Sequence, residues 1–183
     1  MQPLYFDTAA TTAVNPNVIE DMIDVLRNVP GNPSSTNHPQ GREAAQRLEA
    51  ARAAVAAELG CDADEIVFTA GATEANNLAL RGIALAHRAQ GRHVVTSAIE
   101  HKAVLACCRG LESDAVETTY VKPNRGGWVT PEPILAALRP DTLVVSLMHT
   151  NNETGVMQPI AEAGGRPYPA RGRLTDTLDI HVL

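Results

Sequence analysis

The chain has 183 residues, of which 44% are hydrophobic and 3% aromatic, and its formal net charge is -6. This composition predicts one α/β domain with a core of Ala, Val, Leu and Ile. A net negative charge without a block of like charges argues against nucleic acid or an anionic membrane surface as a partner. No stretch approaches the roughly 18 apolar residues of a membrane helix, and no leader pattern opens the sequence, so we predict a cytoplasmic protein.

The cysteines favour the same compartment. Cys61, Cys107 and Cys108 are odd in number and two are adjacent, which makes neither a disulfide framework nor a metal-ligand spacing. We therefore predict reduced, buried thiols and no metal site.

The first predicted elements are two helices. Asn15 as an N-cap and Pro16 at the first helical position predict a helix over residues 15–29. The stretch PGNPSSTNHPQG that follows is too rich in Pro, Gly, Asn and Ser for regular structure. A long Ala-rich helix is then predicted from Arg42 to a C-cap at Gly60.

Strand and helix patterns alternate in the rest of the chain. Ile66 and Phe68 predict a strand, and a tight turn at Gly71 leads into an apolar stripe at helical spacing. The next predicted elements are strand HVVTSA, helix HKAVLACCRGL, strand VETTYVK, helix TPEPILAALR and strand TLVVSLMH. This order predicts a mostly parallel sheet sandwiched by helices, whose ligands bind beyond the carboxyl ends of the strands.

The first candidate site at a strand end is the start of the helix after Gly71. Ala72 and Thr73 offer free backbone N–H groups and a hydroxyl at the positive end of a helix dipole, which is typical of an anion site. The alternative interpretation is that Thr73 or a neighbour only caps the helix. The segment is neither a P-loop nor a dinucleotide fingerprint.

Two further candidates follow later strands. His101, in SAIEHKAVL, can present a flat ring for stacking on a cofactor and can exchange protons near neutral pH, or it can simply cap its helix. Glu100 and Lys102 are interpreted as solvated charges of the first turn. In MHTNNETGVMQP, residues 148–159, two asparagines after an apolar strand indicate either ligand hydrogen bonding or an Asx turn that satisfies its own backbone.

Five ordered motifs carry a family resemblance: YFDTAATT, GNPSSTNHPQG, VFTAGATEANNLAL, SAIEHKAVL and VVSLMHTNNETGVMQPI. From about Leu4 to about Ala163 the chain resembles the pyridoxal phosphate dependent cysteine desulfurases, which are class V aminotransferases of fold type I. EHKAVL and NNETG resemble the branch that serves iron–sulfur cluster assembly and nitrogenase maturation. The resemblance implies an N-terminal arm (1–14), an incomplete large cofactor-binding domain (15–163) and a divergent tail (164–183), for which a frame shift or truncation is a hypothesis.

The resemblance also implies roles for individual residues. Ala72 and Thr73 match contacts to the phosphate of pyridoxal 5'-phosphate. His101 matches the catalytic histidine that stacks on the pyridine ring and transfers protons. Asn152 matches the asparagine that hydrogen-bonds near the 3-hydroxyl group of the cofactor.

Other matches are at the substrate entrance, where the resemblance places Thr12 and Asn32. Thr8 stands where the family usually has Asn or Ser. The Schiff-base lysine, the acidic residue at the pyridine nitrogen and the persulfide cysteine of the family are not recognised, and the chain's lysines, Lys102 and Lys122, do not lie in the Schiff-base context.

Two functions from different classes therefore remain open. One is a cysteine desulfurase, a family homodimer that converts L-cysteine to L-alanine and passes sulfur to an acceptor or scaffold protein; the nearest enzymatic alternative is a selenocysteine lyase. The other is a catalytically inactive remnant or binding fragment.

Overall fold

The computed structural model describes residues 4–8 and 10–164. The chain divides after Phe68 into two compact units. Within the described ranges, no helix is both long enough and apolar enough to cross a membrane. The tail predicted for residues 164–183 lies, apart from Gly164, outside the described residues.

The first unit contains two helices, α1 (Pro16–Asn28) and α2 (Pro39–Leu59). The side chain of Asn15 accepts a 2.9 Å hydrogen bond from the N–H of Asn17, so the predicted N-cap of α1 is confirmed. The predicted C-cap of α2 is also confirmed, because Gly60 adopts the left-handed conformation with φ 70°. α2 begins before the predicted Arg42, because the ring of His38 caps it from outside.

The strand predicted at Ile66 and Phe68 is wrong. Ile66 has extended backbone angles, but no strand is formed there in the described part of the chain. The guanidinium of Arg52 donates to the carbonyl of Ile66 and lies 5.0 Å from the centre of the Phe68 ring. Alternation alone predicts an extended segment, whereas a strand also needs a neighbour that pairs with its backbone.

The second unit is an α/β layer structure, which confirms the predicted fold class. Its elements are α3 (Ala72–Ala86), β1 (His93–Ser97), α4 (Lys102–Glu112), β2 (Glu117–Val121), α5 (Pro131–Ala137), β3 (Thr142–Ser146) and α6 (Ile160–Gly164). The described strands form one parallel sheet in the order β2-β1-β3. β1 is central and fully buried.

Both faces of this sheet are covered. Side chains alternate along a strand, so the neighbouring residues Val94 and Val95 belong to different hydrophobic clusters. Val94 packs with residues of α3 and α4: Leu80, Ala84, Val104, Cys107, Cys108 and Leu111. Val95 packs with Val121, Val129 and Ile134, the last of which belongs to α5. The prediction of a sheet sandwiched by helices is therefore confirmed.

The strand order determines where a ligand can bind. The chain leaves β1 for β2 on one side, and then returns to place β3 on the other side of β1. In open parallel sheets, ligands bind in the crevice beyond the carboxyl ends of the strands where the order reverses. In this unit that crevice lies between the residues that follow β1 and the residues that follow β3.

A buried histidine joins the strands near their amino-terminal ends, away from the crevice. The ring nitrogens of His93 lie 2.8 Å from the hydroxyl of Thr142 on β3 and 2.8 Å from the hydroxyl of Thr119 on β2. One imidazole thus bridges all the described strands. Burial lowers the pKa of His93, and the charge of Arg139 lowers it further, against the opposing effect of Asp141 and Glu117.

Because the pKa of His93 is lowered in the folded state, we expect the stability of the second unit to fall at acidic pH. Unfolded His93 takes up its proton near the ordinary pKa of about 6.5, whereas the folded ring does so only at lower pH. Between these two pKa values the unfolded state binds more protons, so acidification lowers the free energy of unfolding by at most about 1.4 kcal/mol per pH unit.

The measurement is urea denaturation followed by the fluorescence of Trp128, the chain's single tryptophan, between pH values of about 5 and 7.5. His93→Gln is the matched variant, because subtracting its pH dependence removes the contributions of the other groups. The wild-type slope should exceed that of the variant, and equal slopes would contradict this assignment.

Candidate functional site

The N-terminus of α3 presents unused donors. Its N-cap is Gly71, a neighbour of Thr73, and no side chain makes a capping hydrogen bond. Of the alternative that Thr73 or a neighbour only caps the helix, the part that concerns Thr73 is therefore wrong. Ala72 and Thr73 are exposed, and among the described residues no hydrogen bond engages their backbone N–H groups or the hydroxyl of Thr73. The carboxylate of Glu74 turns back to accept from the N–H of Ala70 at 2.6 Å. These donors remain available to an anion at the positive end of the helix dipole.

α3 packs on the sheet through its C-terminal half. The helix ends at Ala86, shortly before β1 begins, and Leu80 and Ala84 pack in the same cluster as Val94 and Val144 of the sheet. A helix that packs on a parallel sheet and leads into the start of a strand runs opposite to that strand. We therefore expect α3 to begin on the side where β1 and β3 end.

His101 begins α4 directly after the turn that follows β1. It is exposed, and its Nδ1 accepts a hydrogen bond of 3.1 Å from the N–H of Ala103, so the cap interpretation is confirmed. An Nδ1 that accepts requires the neutral ring to carry its proton on Nε2. The cap therefore sets the tautomer and leaves Nε2 and the ring faces free for a ligand.

Glu100 is not the solvated charge that was predicted. It is 7% exposed, and its Oε1 accepts from the hydroxyl of Ser97 at 2.7 Å and from the N–H of Met148 at 2.8 Å. Burial raises the pKa of Glu100, and these two hydrogen bonds partly oppose the shift. The interpretation of Lys102 as a solvated charge fits its exposed position. The prediction placed Glu100 in the first turn of the helix. Glu100 lies instead just before the N-cap of α4, and its carboxylate points into the crevice region between β1 and β3.

The two asparagines that follow β3 lie in different environments. Asn151 is buried, and its Oδ1 accepts from the N–H groups of Glu153 and Thr154 and from the hydroxyl of Thr154. Its Nδ2 donates to the carbonyl of Ile99 at 2.8 Å. Asn152 is exposed, and within the described part of the chain its amide donates to Glu153 alone, at 3.1 Å. The Asx-turn interpretation thus holds for the first asparagine, and the second presents its amide outward.

A buried glutamine secures the end of the same loop. Gln158 accepts from the N–H of Val129 at 2.8 Å and donates to the carbonyl of Gly127 at 3.0 Å. Its own N–H donates to the carbonyl of His149 at 2.7 Å. The loop after β3 is therefore held at both ends by buried amide side chains.

Sequence reasoning missed Glu100 and Gln158 as residues that shape the site, and it left open which of the two asparagines forms the Asx turn. Local signals could have identified two of these residues. Glu100 lies between Ile99 and the N-cap of α4, and Asn151 opens the segment Asn-Asn-Glu-Thr-Gly, where an Asx acceptor is expected.

The residues predicted for the substrate entrance lie in the first unit. Thr12 is exposed. Asn32 is exposed, and its Oδ1 accepts from the N–H of Ser34 at 2.9 Å in an Asx turn. Their roles stay predictions.

The cysteines differ in their environments. Cys107 and Cys108 are buried in α4 as predicted, whereas Cys61 is only partly buried. Burial raises the pKa of the Cys107 thiol, and it raises that of Cys108 to about 11, with a further contribution from Cys107 beside it. Such thiols are poor nucleophiles at neutral pH.

The fold is that of an α/β protein in which a capped histidine follows β1, an outward amide follows β3, and α3 begins with unpaired donors. The sequence of residues 4–167 matches the aminotransferase class-V family, and the chain belongs to this family. The family predicted from the five motifs is thereby confirmed.

Individual relatives are cysteine desulfurases or similar proteins. The cysteine desulfurase IscS of Anaeromyxobacter sp. (strain K) is 49% identical over 162 residues, which are 88% of this chain and 40% of that protein. A solved structure of a NifS-like protein has a TM-score of 0.86 at 38% identity and covers 90% of this chain and 45% of that one. A structure of SspA in complex with cysteine has a TM-score of 0.83 at 40% identity and covers 88% and 46%. The chain spans about 40% of the length of the curated relative.

Proposed function

We propose that this chain supplies the phosphate-binding and ring-binding part of the pyridoxal 5'-phosphate site of a cysteine desulfurase. The family reaction would convert L-cysteine to L-alanine and pass sulfur to an acceptor protein in iron–sulfur cluster assembly. The observation that carries the proposal is the set of unpaired donors at Ala72 and Thr73 at the start of α3. We infer that they face the same crevice as His101 and Asn152, which follow β1 and β3. The relative solved with cysteine supports the choice of substrate.

The described residues fit the phosphate and the ring of this cofactor. A dianionic phosphate matches N–H donors and a hydroxyl at a helix N-terminus. Gly71 adds no steric barrier, since an added Cβ would meet nothing within 4 Å. The exposed ring of His101 suits stacking on a pyridine, and the exposed amide of Asn152 suits a phenolic oxygen.

Each residue then has a defined task. Pyridoxal phosphate, when bound, supplies an electron sink for bonds at the substrate α-carbon. Thr73 and the N–H groups beside it bind the phosphate and anchor the molecule. Asn152 orients the ring through its oxygen substituent. His101 covers one ring face and holds or moves a proton at Nε2, because Nδ1 is occupied by the cap.

The positions of the lysines favour cofactor binding without desulfurase turnover for these 183 residues on their own. Lys102 lies in the first turn of α4, and Lys122 follows β2, which is on the far side of β1 from the crevice. We propose that the chain alone retains the cofactor cradle and does not release sulfur from L-cysteine. The homodimer, the sulfur acceptor and a cytoplasmic location belong to the same proposal and follow from the family.

The test is calorimetric titration with pyridoxine 5'-phosphate, which has the ring and the phosphate but no aldehyde to react with stray lysines. Pyridoxine, without phosphate, is the control ligand. We expect binding of the first and at least about tenfold weaker binding of the second, since hydrogen bonds to a charged group contribute about 1.5–3 kcal/mol each.

Thr73→Val is the matched variant, because it keeps the shape of the side chain and removes only the hydroxyl. The affinity for pyridoxine 5'-phosphate should fall about tenfold, with no change for pyridoxine. Equal affinities of the wild type for the two ligands would contradict a phosphate cradle at α3.

A further inference from the structure

Glu100 is a buried carboxylate that the proposed cofactor contacts leave unused. It stands between β1 and the cap of α4, with only 7% of its surface exposed. Removing a charge from water is costly, and an apolar side chain of similar volume would fill the same space without that cost. Packing alone therefore does not account for a carboxylate at this position.

The hydrogen bonds of Glu100 join two segments that are distant in sequence. Through one oxygen it accepts from Ser97, at the end of β1, and from the backbone of Met148, just after β3. A second bridge runs beside the first, in which the amide of Asn151 donates to the carbonyl of Ile99. These bonds are called the Glu100 clamp here.

The clamp lies next to the two residues proposed to contact the ring of the ligand. His101 directly follows Glu100, and Asn152 directly follows Asn151. The hydrogen bond from the N–H of Ala103 fixes the ring of His101 from one side. The Asx turn of Asn151 fixes the backbone of Asn152. Neither of these determines the distance between the two segments. Among the described residues, the hydrogen bonds that join the two turns are those of the clamp.

We propose that Glu100 is a positioning residue: it holds the turn after β1 against the turn after β3 and so sets the spacing of His101 and Asn152. Its consequence for ligand binding rests on the proposed function, whereas the mechanical coupling of the two turns does not. The required property of Glu100 is an acceptor oxygen that two donors share, and a glutamine in the same orientation also provides one.

Three variants of the full chain test this inference. Glu100→Met keeps the volume and removes the acceptor, so it separates the clamp from cavity formation. Glu100→Gln keeps the acceptor and removes the charge. Thr96→Val is the matched control, because the hydroxyl of Thr96 makes another buried bond between β1 and β3, 2.9 Å to the carbonyl of Ser146, within the strands and before the turns.

The first readout needs no ligand. Hydrogen exchange measured by mass spectrometry should be about tenfold faster in Glu100→Met at both the Ala103 amide and residues 151–156, because loosening one turn loosens the other. Glu100→Gln and Thr96→Val should stay within about twofold of the wild type in these segments. Unchanged exchange in either segment of Glu100→Met would overturn the clamp.

The second readout is the dissociation constant for pyridoxine 5'-phosphate, measured well below the melting temperature of every variant. We expect about tenfold weaker binding in Glu100→Met and rescue to within about twofold in Glu100→Gln. Faster exchange with unchanged affinity, or equal loss of affinity in both Glu100 variants, would overturn the positioning role. If the wild type does not bind this probe, the proposed function fails and the exchange data still decide whether the turns are coupled.

Discussion

Asn151→Ala is expected to lower the free energy of unfolding of the second unit by about 3 kcal/mol, since net contributions of about 0.5–1.5 kcal/mol per hydrogen bond add to the cost of unpaired buried groups. The Oδ1 of Asn151 accepts from three donors, and its Nδ2 donates to the carbonyl of Ile99. Alanine removes all of these bonds. It also leaves the N–H of Thr154 and the carbonyl of Ile99 without protein partners.

The neighbouring asparagine provides the control. Asn152→Ala removes an exposed side chain whose bond is to the adjacent Glu153, so the expected change in stability is within about 0.5 kcal/mol. Urea denaturation followed by Trp128 fluorescence measures both variants. Similar losses of stability in the two variants would contradict the division of functions between these asparagines.

His101→Asn is expected to weaken the binding of pyridoxine 5'-phosphate by about tenfold, a loss of about 1.4 kcal/mol, while leaving the stability within about 0.5 kcal/mol of the wild type. Asparagine is among the best N-cap residues, so it can accept from the N–H of Ala103 in place of Nδ1. It has no aromatic face, and it therefore keeps the cap while it lacks the ring proposed to stack on the ligand.

This substitution separates two roles of one side chain. Calorimetric titration measures the affinity, and urea denaturation on the same sample measures the stability. His101→Ala serves as the reference that loses both the cap and the ring, and it should show reduced affinity together with a stability loss of about 1 kcal/mol. If His101→Asn binds as well as the wild type, the ring does not contact the ligand and His101 acts only as a cap.

Much of the local structure was predictable because it depends on residues close in sequence. Asn15 and Pro16 begin α1 through one side-chain hydrogen bond and one fixed backbone angle, and Gly60 ends α2 through its tolerance of positive φ. The alternation of helices with apolar strands was sufficient to predict a parallel sheet covered on both faces.

Sequence patterns point to outward-facing residues of the candidate site, and their roles stay predictions. Thr73, His101 and Asn152 stand at ends of elements, where motif and resemblance apply directly. Glu100 was misinterpreted because its burial depends on Met148, a residue 48 positions later that donates to it only after β3 has paired with β1. The strand expected at Ile66 failed for a related reason, because its backbone bonds with Arg52 and not with another strand.

The sequence by itself determined the family, the α/β class and the helix caps at Asn15 and Gly60, because each depends on local chemistry or on ordered motifs. The tertiary structure alone decided the strand order β2-β1-β3, which places the crevice between β1 and β3. It also decided which of two adjacent asparagines is buried and that Glu100 joins the two turns. These features arise from hydrogen bonds between segments far apart in the chain, whose partners are brought together only when the sheet forms.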